Sequence, residues 1–284
     1  MSNNIRTFFL MTVLTLLFVW VGGKIGGSQG ALIAFLLAAG MNFFAYWFSD
    51  KMVLKQYRAT EIGPEDNSRL YKIVATLSQK ANLPMPKVYI SPDQTPNAFA
   101  TGRNPQHAAV AATEGILNML NDEELSGVMA HELTHVRNRD MLTGTIAATF
   151  AGALAMIGQF ARFGMGSRDS RDRQNPIVFI VIMIAAPLAA MIIRSMISRT
   201  REYAADSGGA EISGKPLGLA GALNKLQQGV QRIPLAHGNP AHAHMFIVNP
   251  FLGLEGLQKL FSTHPPIEER VRRLQAIASG RTVD

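Results

Sequence analysis

The sequence contains no cysteine. Disulfide frameworks, thiolate zinc sites and cysteine nucleophiles are therefore excluded. Charge is also scarce: 17% of the 284 residues are charged, against about 25% in an ordinary soluble domain. The deficit is concentrated in a few long apolar runs, which marks a membrane protein rather than an unusually oily core. Internal repeats and low-complexity tracts are absent as well. The charge that remains is biased, with a net +7. Nucleic acid is one partner such a balance could imply. Anionic lipid headgroups fit better, because many of the Lys and Arg residues flank the apolar runs, and no nucleic-acid partner is expected.

Four runs approach the roughly 17–25 apolar residues that span a bilayer. The first lies between Arg6 and Lys24, and the second runs from Gly30 to Phe48 and carries the interfacial aromatics Tyr46 and Trp47 near its end. The third lies between Asp140 and Arg162, the fourth between Arg173 and Arg194. A secretory signal peptide is the alternative for the first run, but the small-residue site after it is poor and a second span follows at once. A buried hairpin of core helices is the alternative for the third and fourth, which are Ala-rich and near the short end. The expected organisation is two N-terminal transmembrane helices over residues 1–49, a first soluble segment over 50–141, a transmembrane hairpin over 142–193 and a second soluble segment over 194–284.

In the first soluble segment, Leu70, Ile73, Val74 and Leu77 recur at helical spacing and predict a helix around Asn67 to Ala81. The stretch "LPMPKVYISPDQTPNAFATGRNPQHAAVAAT" reads as short strands punctuated by Pro, Gly and Asn turns. "LNDEELSGVMAHELTHVRNRD" reads as a helix, with Asn121 as N-cap and Asp122, Glu123 and Glu124 complementing the dipole of its first turn. The second soluble segment reads as mainly helical. "PPIEERVRRLQAIAS" forms its last amphipathic helix, with Pro at its start.

The chemistry lies in the second of these helices. His131 and His135 are four residues apart, which stacks both imidazoles on one helical face, where they can share a metal ion. Glu132 is close enough to reach a water on that metal, and a carboxylate there can take the proton of an attacking water. A surface helix with two solvated histidines is the plain alternative. A catalytic zinc needs a third protein ligand. The candidates are His, Glu or Asp, and no histidine follows within Val136 to Leu142. Glu202 in "RTREYAADSGG" is the best of them, and Asp206, one turn on, could accept a hydrogen bond from a ligating imidazole. Alternatively, Glu202 and Asp206 pair with Arg199 or Arg201 on a solvated face. His242 and His244 are two apart, a spacing that does not suit one helical face, so together with His237 they read as a loop.

The motifs "HELTHVRNRD", "REYAADSGGA", "NAFATG" and "STHPPIEERVRRL" resemble those of the membrane-bound HtpX zinc endopeptidases, bacterial relatives of the prenyl-protein CAAX proteases. The resemblance covers nearly the whole chain. It implies an α+β, mostly helical integral membrane protein with about four transmembrane helices and a cytoplasmic gluzincin-like protease domain carrying a small β-sheet. It implies one Zn2+ per chain held by His131, His135 and Glu202, with Glu132 as general base and His264 donating to the oxyanion. Arg270 would orient Asp206 or the wall of the site. Asn97, Ala98, Phe99 and Ala100 would form an edge strand to which an extended substrate adds. The implied setting is a multi-pass protein of the bacterial inner membrane, facing the cytoplasm, acting in stress response and quality control on misfolded or damaged membrane proteins. A processing peptidase for specific or lipidated substrates is the alternative, although the CAAX relatives have more spans.

If His135 and Glu202 bind one ion, the chain between them crosses the membrane an even number of times, and Arg6 lies on the same side. Near span ends that side carries Arg6, Lys51, Lys55, Arg58, Arg137, Arg139, Arg194, Arg199 and Arg201. The other side carries Lys24, Arg162, Arg168, Arg171 and Arg173. The positive-inside rule then favours a cytoplasmic site, against the pull of the loop "RFGMGSRDSRDR". A transporter is disfavoured, because these runs hold no ionisable residue away from their boundaries. An inactive scaffold is disfavoured because Glu132 and the three candidate ligands are all present.

Overall fold

The computed structural model describes residues 3–141, 199–232 and 265–281. These divide into two compact units, residues 3–48 on one hand and residues 49–141, 199–232 and 265–281 on the other. The expected third and fourth spans, His264 and the His237, His242 and His244 loop lie outside the described residues.

The first unit belongs to helix α1, Asn3–Gln56, which is broken at Gly26 and Gly27. Gly27 has φ +60, a left-handed conformation that a residue with a Cβ adopts only under strain. The break turns the chain back on itself. A Cβ built on Gly22 would stand 2.4 Å from the Gly30 carbonyl oxygen, and Asn42 Nδ2 donates to Thr15 Oγ1 at 2.8 Å. Thr7–Lys24 and Gly26–Phe48 are each long and apolar enough to cross a membrane. Phe8, Phe9, Leu16, Leu32, Leu36 and Leu37 are exposed, a surface suited to hydrocarbon rather than water.

The second unit is a four-stranded mixed sheet between helices and the end of α1. Strands β1 (Thr60–Ile62), β2 (Lys87–Ser91), β3 (Ala98–Gly102) and β4 (Ala108–Thr113) lie in the order β1-β2-β4-β3. Only β2 and β4 run parallel; the other two pairings are antiparallel. All six residues of β4 are buried, because both faces of the sheet are covered. One face meets Val53 and Leu54 of α1, which pack with Phe99, Ala109 and Ala111. The other meets the main core, which includes Leu70, Val74 and Leu77 of α2 (Arg69–Lys80). The apolar spacing read from the sequence thus marks the inward face of α2, whose N-cap is Ser68.

A short helix α3, Glu114–Met119, was not legible in the sequence. It is six residues long, too short to show a helical period. Helix α4, Asp122–Asn138, follows it. Asn121 Oδ1 accepts from Glu124 N and Glu124 Oε2 accepts from Asn121 N, each at 2.9 Å, so the expected N-cap is a reciprocal capping box. Leu125, Val128, Met129 and Leu133 of α4 fill the core. Helices α5 (Arg199–Ser213) and α6 (Pro216–Arg232) pack on α4, and α7 (Ile267–Ala278) closes on α6. Leu219 and Leu223 from α6 and Leu274 from α7 complete the core.

Candidate metal centre and active site

Helix α4 places His131 and His135 one turn apart, and their Nε2 atoms approach to 3.2 Å. Two imidazole nitrogens facing each other at that distance gain nothing from each other unless a proton or a cation lies between them. Glu202 arrives from α5, with Oε2 3.7 Å from His131 Nε2 and Oε1 3.7 Å from His135 Nε2. One ligand atom from each of the three residues fits within 4.8 Å of the others. Tetrahedral ligand bonds of about 2.0–2.2 Å separate neighbouring donors by about 3.3–3.6 Å. The nitrogen and oxygen donors therefore fit a metal ion of zinc's size and preference. His131 is 3%, Glu132 7% and Glu202 6% exposed, which rules out the solvated-face alternative for both helices.

Glu202 reaches this position because α5 lies directly against α4. A Cβ on Gly209 would stand 2.9 Å from the His131 backbone nitrogen, and one on Gly208 would stand 2.5 Å from Thr134 Cγ2. The glycine pair is a packing device, and it sets the distance from the third donor to the first two.

A further layer of carboxylates faces the other ring nitrogens. His131 Nδ1 is 3.0 Å from Asp206 Oδ1, although the contact is bent away from ideal hydrogen-bond alignment. Asp206 in turn accepts two hydrogen bonds from Arg270, Nε to Oδ2 at 2.8 Å and Nη2 to Oδ1 at 2.7 Å. Burial works to raise the Asp206 carboxyl, but the Arg270 charge and hydrogen bonds, together with His131, hold it below the usual range. Burial likewise works against the Arg270 charge, and Asp206, Glu202 and Glu132 outweigh it and raise the guanidinium above its ordinary value. Arg270 is fully buried, so it orients Asp206 from inside the protein. Arg201 Nη1 lies 4.0 Å from Asp140 Oδ1.

Asp140 itself was missed in the sequence reading. Its Oδ2 lies 3.2 Å from His135 Nδ1. Burial lowers the His135 imidazole, but the Asp140 hydrogen bond and the carboxylates of Glu202 and Glu132 outweigh it and push it up to about 9. Five residues past the histidine and beyond the last helical residue, Asp140 follows no helical period.

Glu132 points towards the sheet, where its Oε2 accepts from the Ala100 N–H at 3.0 Å. Among the described strands β3 is at the edge. Asn97 uses both backbone groups inward: its N–H donates to Thr113 Oγ1 and its carbonyl accepts from Thr113 N, both at 2.9 Å. By strand alternation, Phe99 also faces β4, whereas Ala98 and Ala100 turn their N–H and C=O groups outward. Within the expected docking segment Asn97–Ala100, only Ala100 is partly exposed, and its N–H is bonded to Glu132. Asn97 is 1% exposed, and Phe99 packs against Tyr57 with ring centroids 4.7 Å apart.

Residues 64–278 match peptidase family M48. The matched stretch contains His131, Glu132, His135, Glu202, Asp206 and Arg270. The chain belongs to peptidase family M48. It is similar over nearly its whole length to proteins described as protease HtpX homologs. That of Syntrophotalea carbinolica is 56% identical over 278 residues, covering 96% of this chain and 98% of the relative. Those of Campylobacter curvus and Methylibium petroleiphilum are 54% and 55% identical, covering 96% and 100% of the relatives and 96% and 99% of this chain. Among solved structures, S. mikatae Ste24p superposes with a TM-score of 0.53 at 18% identity, over 96% of this chain. This chain spans 65% of the length of Ste24p, and the likeness shows a shared fold. As an M48 member the protein is a metallopeptidase. The family implies a metal, typically zinc, and the His131, His135 and Glu202 group can hold one.

Proposed function

We propose that this M48 protein is a membrane-bound zinc endopeptidase that cleaves cytoplasm-facing segments of misfolded or damaged membrane proteins. The observation that carries this reading is the meeting of three elements at one point. Two α4 histidines and an α5 glutamate converge as donors, and the neighbouring Glu132 carboxylate touches the edge strand. His131, His135 and Glu202 would hold the ion. Bound zinc supplies Lewis acidity, lowering the pKa of nearby water to about 7 and polarising a carbonyl. Glu132 takes the proton of the attacking water and passes it to the leaving amine. An extended substrate adds as a strand at the β3 edge and takes over the Ala100 N–H that Glu132 otherwise holds. Ala100 N–H is the register mark, because it already bonds the proton-accepting carboxylate. His264 is the oxyanion donor on the family resemblance.

The membrane setting rests on the two apolar N-terminal helices and on the apolar runs that separate His135 from Glu202 in the sequence. Even crossing between those two residues keeps both on one side, and the Lys and Arg distribution favours the cytoplasm for that side. The test is purified full-length protein in detergent, assayed for zinc content and for cleavage of an unfolded polypeptide. Glu202→Ala is expected to lose stoichiometric zinc and activity together. Zinc bound at wild-type affinity by Glu202→Ala would remove Glu202 from the ligand set.

A further inference from the structure

We infer that Asp140 is a positioning residue: it accepts the Nδ1–H of His135 and so fixes the imidazole with its Nε2 lone pair turned into the metal site. The inference rests on the reading of His135 as a metal ligand.

Its basis is a turn built for the purpose. Helix α4 ends at Asn138, and Arg139 follows with φ +58. That left-handed conformation is unusual for a residue with a Cβ. It is closed by the Arg139 N–H donating to the Val136 carbonyl at 3.1 Å and the Asp140 N–H donating to the His135 carbonyl at 3.0 Å. Without the turn the chain would leave the helix axis, and a residue five beyond His135 would lie far from its ring. With the turn, Asp140 meets His135 twice, through the backbone bond and through Oδ2 to Nδ1 at 3.2 Å. The Asp140 side chain is 8% exposed, so its carboxylate is committed to partners inside the protein.

The second carboxylate oxygen has a partner too. Arg201 Nη1 lies 4.0 Å from Asp140 Oδ1, and Arg201 immediately precedes Glu202 on α5. Asp140 thus links the end of the helix that carries two donors to the start of the helix that carries the third. The arrangement repeats, at the second histidine, what Asp206 and Arg270 do at the first. In each case an imidazole Nδ1 faces a buried carboxylate, and that carboxylate faces an arginine.

The chemical consequence is tautomeric. A neutral imidazole carries one N–H, and the hydrogen bond made by one nitrogen decides which form the other presents. A carboxylate at Nδ1 holds the proton there and leaves Nε2 as a donor of electrons, at the atom 3.2 Å from His131 Nε2 and 3.7 Å from Glu202 Oε1. Removing the carboxylate frees the ring to rotate and to carry its proton on Nε2, where it blocks a ligand bond.

The experiment uses the full-length protein in detergent and titrates zinc against a chromophoric chelator. Co2+ is substituted in parallel, so that its visible ligand-field bands report the donor set. Asp140→Ala is expected to weaken zinc binding by about 10–100-fold, the usual cost of losing such a partner, and to perturb the cobalt bands. Asp140→Asn keeps the shape but can turn its amide NH2 towards Nδ1, which moves the imidazole proton to Nε2, and is expected to weaken zinc binding and perturb the cobalt bands in a protein that still folds. Wild-type zinc affinity in Asp140→Ala or in Asp140→Asn would overturn the inference. If Asp140→Ala does not fold, Asp140→Asn decides: weakened zinc binding in folded protein supports it, and wild-type binding overturns it. His135→Ala separates the two readings. Abolished binding there with unaffected Asp140→Ala defeats only the positioning role, whereas unaffected His135→Ala defeats the ligand assignment beneath it.

Discussion

His135 sits among the carboxylates of Asp140, Glu202 and Glu132, and without a metal that negative field attracts a proton instead. Its folded value is raised to about 9 from 6.5. A group raised on folding stabilises the folded state fully below its unfolded value and loses that contribution as pH climbs through the folded one. In zinc-free protein, the Tm difference between wild type and His135→Gln is therefore expected to be largest below about pH 6.5 and to shrink towards pH 9. A difference that is flat or grows with pH would contradict this arrangement of charges. Zinc takes the place of that proton, so binding below pH 9 should release it, which calorimetry in buffers of different ionisation enthalpy can count. Arg270 makes the complementary case. Truncating it to Ala strands a buried Asp206 carboxylate and is expected to cost about 3–5 kcal/mol of stability, measurable as a fall in the thermal midpoint. Arg270→Lys should recover only part, because an ammonium cannot make the two-pronged contact. Glu202, Asp206 and Arg270 were all legible from motif spacing and resemblance, and the structure brings them to the histidines. Asp140 was not, because the left-handed turn at Arg139 that delivers it leaves no periodic mark in the sequence.

At the scale of elements, the site depends on how closely α5 approaches α4. Gly209 allows the approach, since any Cβ there meets the His131 backbone, which has no side-chain rotamer to yield. Gly209→Ala is expected to push the helices apart, costing about 1–3 kcal/mol and weakening zinc binding because Glu202 withdraws from its 3.7 Å contacts. Unchanged melting and unchanged zinc affinity would show that the glycine is incidental. Helices α2, α4 and α7 were readable because their apolar spacing and caps are local signals. The sheet order was not, since the parallel β2–β4 pair depends on contacts between distant segments. Only the edge strand could be anticipated, through the "NAFATG" resemblance. In the structure the Ala100 N–H of that strand bonds Glu132.

For the whole molecule, the lack of cysteine is an experimental advantage. Single introduced cysteines can be labelled without background. Lys24→Cys, between the two N-terminal helices, is expected to react with an impermeant maleimide applied outside spheroplasts. Lys87→Cys, exposed at the start of β2, is expected to react only after the membrane is opened. The reverse pattern would invert the proposed orientation. The division of the protease unit between two stretches of sequence is expected from the apolar runs that interrupt it. The closure of the site across that gap was an inference from chemistry, since a catalytic zinc requires a third ligand.

The most direct measurement pairs zinc stoichiometry with peptide cleavage in one preparation of Glu132→Gln. One zinc per chain with cleavage reduced by about 10²–10⁴-fold is the expected result, since the ligands remain and the proton acceptor is gone. Zinc-loaded Glu132→Gln that cleaves at the wild-type rate would contradict the assignment of Glu132 as the group that takes the proton from water.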